Sequence, residues 1–199
     1  MGARVVALSR RFSSRNALLI AAFAGLAVFL LRDWLEGDMA RHMVIEFPLL
    51  LLAGAAVGRV LQERFGAQIA CCNQMGLTGF VFASLTLAYW MIPAALDAAL
   101  GDEWMAAAKY VSLVVSGALL RSSFRVAPLA VQLFFVGNFA LMTATVGLIY
   151  QTAPQQLCLN YGTDAQLAAG ESLVALAVIS ACTWCVSVAP AFLESGADA

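Results

Sequence analysis

Long apolar runs recur along the chain, separated by short stretches where charge, proline and glycine collect. They cover 17–31, 42–60, 69–92 (stopped by Pro93), 104–120 (ended by Arg121), 126–150 and 167–188 (closed by Pro190). A hydrocarbon core of ~30 Å takes about 20 helical residues at ~1.5 Å each, and each run approaches or exceeds that, the first being the shortest. The pattern predicts an all-α, polytopic membrane bundle of about six spans, forming one integral-membrane domain over residues 1–199. A basic head followed by an apolar run also suits a signal peptide. However, no small-residue cleavage site follows; Arg32, Asp33, Glu36 and Asp38 do, so the first run reads as an uncleaved span. There is no internal repeat, low-complexity tract or hinge-length linker.

Composition agrees. Hydrophobic residues make up 62% and charged residues 12%, and the mean hydropathy is +0.86, against roughly 45–50% and 25% in soluble domains. No basic patch interleaved with aromatics exists, which sets nucleic-acid binding aside. The arginines are distributed unevenly. The amino-terminal tail (Arg4, Arg10, Arg11, Arg15), the 58–68 loop (Arg59, Arg64) and the 121–125 loop (Arg121, Arg125) hold most of them. The alternate loops hold Arg32 and Arg41 among Asp33, Glu36, Asp38, Asp97, Asp102, Glu103 and Asp164. The positive-inside rule then puts both termini in the cytoplasm and the acidic loops outside, in a bilayer expected to be the bacterial inner membrane.

That topology gathers polar residues at the outer leaflet. His42, the single histidine of the chain, and Glu46 stand at i and i+4 on one helical face, with Met43 between them. Met91 closes the third span, Lys109 lies inside the fourth, and Asp164, Gln166 and Glu171 open the sixth. A charge at bilayer depth costs a few kcal/mol unless it is paired or wet, so Glu46, Lys109 and Glu171 are expected to face inward as a trio, with Glu171 as the partner of Lys109. A packing role for that trio is the plain alternative. As ligands, His42, Met43 and Glu46, completed by Met91, Cys158 or Glu171, offer imidazole, thioether and carboxylate groups to a transition metal such as copper. One histidine excludes a bis-histidine haem.

A second cluster is suggested by Cys71 and Cys72 in the third span and Cys182 and Cys185 in the sixth. Thiolates are disfavoured in apolar helix, and packing is the better reading there. Gly76, Thr78 and Gly79, and Gly137 with Asn138, predict close helix contacts. No phosphate loop, Ser/His/Asp set or zinc-protease motif occurs in the sequence, and a non-enzymatic role is expected.

The stretch from His42 to Gly54 resembles the His-Met-x-x-His plus Leu/Pro/Gly-rich span of the CtaG-type cytochrome c oxidase assembly factors. That from Tyr161 to Gly170 is similar to the Asp-Gln-x-x-x-Gly entry to a late span in the same family. Glu46 stands where the family has its second histidine, and Ala165 splits the Asp-Gln pair. The resemblance implies copper handling or respiratory oxidase assembly at the outer face, with an oxidase subunit or a periplasmic metallochaperone as partner. A small-solute or proton-coupled transporter, using Glu46, Lys109 and Glu171 as a relay, is the other class, and a structural subunit of a membrane respiratory complex a third.

Overall fold

The computed structural model describes residues 14–197, and the side chains of 16–190 within them. Arg4, Arg10 and Arg11 of the basic tail therefore lie outside the described residues. Helices α1 (Ser14–Leu30), α2 (Arg32–Glu36) and α3 (Met39–Arg41) lead into a π-helical turn, His42–Glu46. Then follow α4 (Phe47–Cys72), a 3₁₀ turn (Gln74–Gly76), α5 (Leu77–Trp90), α6 (Pro93–Gly101), α7 (Glu103–Val126), α8 (Leu129–Thr152) and α9 (Thr163–Ala197). No strand occurs among the described residues. Three stretches are long and apolar enough to cross a membrane: Met39–Cys72, Leu129–Thr152 and Thr163–Pro190. The pair Gln74–Trp90 and Pro93–Gly101, bent by 78° at its break, makes a fourth if it is one broken span. Helix α1 is apolar but shorter, and α7 carries Lys109, Arg121 and Arg125 in its 24 residues.

Several predicted boundaries move. The chain does not break at 58–68, because Arg59 and Glu63 sit one turn apart on a continuous helix, 3.6 Å from each other, and charge alone does not end a helix. Only Phe65 departs from helical geometry there. The break falls at Asn73–Gly76 instead, where Met75 and Gly76 take φ of 53° and 76°. The Asn73 side chain secures this turn, accepting from Gly79 N at 3.0 Å and donating to Ser122 and Ser123. The helix of the third apolar run, α5, thus begins at Leu77, and Cys71 and Cys72 belong to α4. Pro93 opens α6, since the first turn of a helix has no partner for the N–H that proline lacks. Helix α7 runs past Arg121 to Val126, and Pro190 lies inside α9 rather than closing it.

Helix α4 packs along α7, α1 along α4, α5 along α7, and α8 along α9. The α4–α7 crossing is close because Gly54, Gly58 and Gly117 sit on it; a Cβ at Gly117 would run into the Leu51 carbonyl. Gly79 packs on α7 at Leu119 and Ser123, as expected of that segment, while Thr78 donates locally to the Cys72 carbonyl. Gly137 has nothing within 4 Å and Asn138 is exposed; the close approach of α8 falls at Gly147, against Gly170 of α9. Large apolar side chains such as Phe23, Phe29, Leu85, Leu141 and Val186 point outward, as in a lipid-facing surface. The densest core, including Leu35, Met39, Met43, Phe47, Trp90, Met91 and Leu113, encloses the polar group described next.

Candidate functional site

The π turn places His42 and Glu46. Asp38 caps the short helix before it, accepting from Arg41 N at 3.1 Å. Pro48, just after the turn, offers no N–H to the preceding turn and crowds its carbonyl, which widens the ladder there. His42 Nε2 and Glu46 Oε2 end up 3.6 Å apart, both side chains fully enclosed. The shared face predicted from their spacing is therefore present, although the turn is π rather than α.

Lys109, on α7 and wholly buried, enters between them. Its Nζ lies 2.7 Å from His42 Nε2, 2.8 Å from Glu46 Oε1 and 2.9 Å from Glu36 Oε1. Of the ammonium's three N–H donors, hydrogen bonds go to His42 Nε2 and Glu36 Oε1, while Glu46 Oε1 faces it as an ion pair. Lys109 can only donate, so His42 Nε2 accepts and the ring proton is on Nδ1. Nδ1 donates to Tyr161 Oη at 2.8 Å, and Tyr161 Oη donates to the Glu36 backbone carbonyl at 2.7 Å. Tyr110 donates to Glu36 Oε1 at 2.8 Å, and Arg32 Nε to Oε2 at 2.8 Å. Two carboxylates, Lys109 and Arg32 balance around a neutral imidazole.

The two carboxylates are not equivalent. Burial pushes the Glu36 carboxyl up, but hydrogen bonds from Lys109 and Arg32, the lysine charge and the Tyr110 hydroxyl outweigh it and hold the group below its ordinary range. Glu46 is less well provided for. Its contact with Lys109 is an ion pair outside hydrogen-bond geometry, and neither of its oxygens accepts a hydrogen bond. Its fully enclosed carboxylate is held by the lysine charge alone.

The predicted pairing of Lys109 with Glu171 is corrected here: Glu171 and Asp164 are exposed on α9, and the lysine is taken by Glu46 and Glu36, whose elements face α7. Gln166 is buried but holds the strap between α8 and α9, donating to the Tyr150 carbonyl and accepting from Leu157 N. Met43 and Met91 are buried in the apolar shell. Cys71, Cys72, Cys182 and Cys185 are exposed, and Cys158 is buried. Among the described residues, the group whose ligand atoms could hold an ion, all within 4.8 Å of one another, is Glu36, His42 and Glu46, with no cysteine in it. The second, cysteine-based cluster is therefore not formed. The residues missed from sequence are Glu36, Arg32, Tyr110 and Tyr161. The Arg32–Glu36 spacing just before the Gly37 break was the available signal, because it marks a carboxylate presented at a helix end.

Comparison with family models, curated proteins and solved structures finds no match to this chain.

Proposed function

We propose that the chain is a six-span protein of the bacterial cytoplasmic membrane, termini inside, that couples proton uptake at Glu46 to the movement of a small solute. The observation that carries this reading is the arrangement at Lys109 Nζ, with His42, Glu46 and Glu36 at 2.7–2.9 Å and Glu46 enclosed, held by an ion pair and no hydrogen bond. Protonating Glu46 removes one negative charge from a balanced group and leaves Lys109 and Arg32 facing Glu36 alone. The excess positive charge in a low-dielectric site favours opening of the group. Two further features support a moving part. The residues concerned sit on a π turn, a device frequent at functional sites, and the bent α5–α6 pair lies beside it in the same core, as discontinuous helices do in transporters. The test is proton flux into proteoliposomes carrying a pH dye. Wild type is expected to acidify its lumen under an imposed gradient and Glu46→Gln to be silent. Equal flux in both sinks the reading.

A second reading is a metal-handling or oxidase-assembly role, supported by the Glu36, His42 and Glu46 ligand atoms and in line with the CtaG-type resemblance. One imidazole and two carboxylates suit a borderline divalent ion, copper(II) or zinc, better than copper(I). Lys109 Nζ is within 2.9 Å of the same three side chains, so an ion must displace it. An oxidase subunit or a periplasmic metallochaperone would be the partner. Metal quantitation of wild-type, His42→Ala and Glu46→His protein tests it: metal in the first and third and none in the second supports it, and none in any rejects it.

A further inference from the structure

The far end of the α4–α7 crossing holds a group of the opposite character. Beyond the close contact of Gly58 with Ala118, Arg59 and Gln62 lie about one turn apart on α4 and Arg121 and Arg125 one turn apart on α7, so the packing of the two helices brings the three arginines to one end of the crossing. Glu63 is half exposed and 3.6 Å from Arg59 Nε. Arg125 Nη1 donates to Gln62 Oε1 at 3.2 Å. The Nε atoms of Arg59 and Arg121 are both buried and make no hydrogen bond, Arg59 having only the long ion pair with Glu63. Guanidinium N–H groups left without acceptors at a partly desolvated position are costly, and like charges crowded beside one another add to that cost. An anion with several oxygens relieves both, and guanidinium matches phosphate geometry in particular.

We infer that Arg59, Arg121 and Arg125 bind a phosphate group. The position fits a lipid headgroup: both helices present apolar side chains outward, as Leu52 and Val111 do, and basic pockets between membrane helices take anionic headgroups on the cytoplasmic side. This site is independent of the Lys109 group and of any role given to it.

The test is thermal melting of the full chain in neutral detergent, titrated separately with phosphatidylglycerol, phosphatidylcholine and inorganic phosphate. Phosphatidylglycerol is expected to raise Tm saturably and phosphatidylcholine to leave it unchanged. Arg121→Gln and Arg125→Gln are each expected to weaken the phosphatidylglycerol response about fivefold, the worth of roughly one interfacial arginine. Arg41→Gln, at the opposite end, should titrate as wild type. A saturable response to inorganic phosphate with the same variant pattern, and none to lipid, keeps the phosphate site and names the free ion as its source. If phosphatidylcholine stabilises equally, or if both variants respond as wild type does, the inference is overturned. Arg125 lies on the exposed rim, so its variant remains informative if Arg121→Gln does not fold.

Discussion

Replacing Lys109 with Met keeps most of the stem volume and removes the ammonium, so it isolates the charge at the centre of the group. Three consequences can be sized from the contacts. Glu36 retains Arg32 and Tyr110 and loses least. His42 Nε2 is left a buried acceptor without a donor, costing about 1–3 kcal/mol. Glu46, enclosed and held by the lysine alone, becomes an uncompensated buried carboxylate; breaking such a pair costs about 3–5 kcal/mol. The two are not additive, because both relax by the same repacking, and a total of about 4 kcal/mol is expected. Removing the charge of Glu46 as well should recover about 2 kcal/mol of it. The assay is a double-mutant cycle on unfolding in mixed SDS micelles, with helicity as the readout, over Lys109→Met, Glu46→Gln, Glu36→Gln and Glu171→Gln. Coupling should rank Glu46 first and Glu36 second, with Glu171, exposed on α9, at zero. A Lys109→Met cost under about 1 kcal/mol, far below that of a broken buried pair, or coupling to Glu171 and not to Glu46, would refute the reasoning.

Glu36 should give acid sensitivity: its folded pKa is below the ordinary 4.5, so its contribution is complete above that value and is lost as pH falls below it. Stability measured from about pH 6 downward should fall more steeply in wild type than in Glu36→Gln. Tyr161→Phe removes the hydroxyl that joins His42 Nδ1 to the Glu36 carbonyl and should cost about 1–3 kcal/mol in the same unfolding assay, since two buried groups lose their partner. Gly117→Ala should push α4 off α7 and cost about 1–3 kcal/mol, whereas Gly25→Ala, with nothing within 4 Å, should leave Tm unchanged. Cys158 is wholly enclosed, and burial, with Asp97 adding to it, pushes its thiol up to about 12. Maleimide at neutral pH should therefore leave this residue unlabelled until detergent unfolding, as peptide mass mapping would show.

Apolar content and the spacing of the runs were sufficient to predict a helical membrane protein, because the bilayer rewards length and hydropathy, which are properties of a sequence window. The i,i+4 relation of His42 and Glu46 was legible for a similar reason: their separation depends only on local pitch, and the π turn changes it little. Less was legible where a charge had to be read as a boundary. The charges at Arg59, Glu63, Arg64 and Arg121 predict helix ends, yet a charged residue can leave a helix intact while its side chain turns outward; the break falls at Asn73–Gly76, where the Asn73 side chain closes the turn, whereas the end before Pro93 was legible from the proline itself. The partner of Lys109 was beyond sequence reasoning altogether. Glu46, Glu171 and Glu36 were all within plausible reach of the outer end, and their separations along the chain say nothing about which helix packs on α7. That choice was made by the small residues that draw α4 against α7 and by the turn that folds α2 back over the π turn, placing Glu36 at the ammonium. Periodicity and hydropathy are local and one-dimensional, whereas the identity of an ion pair follows from which helices pack together, which only the tertiary structure decides.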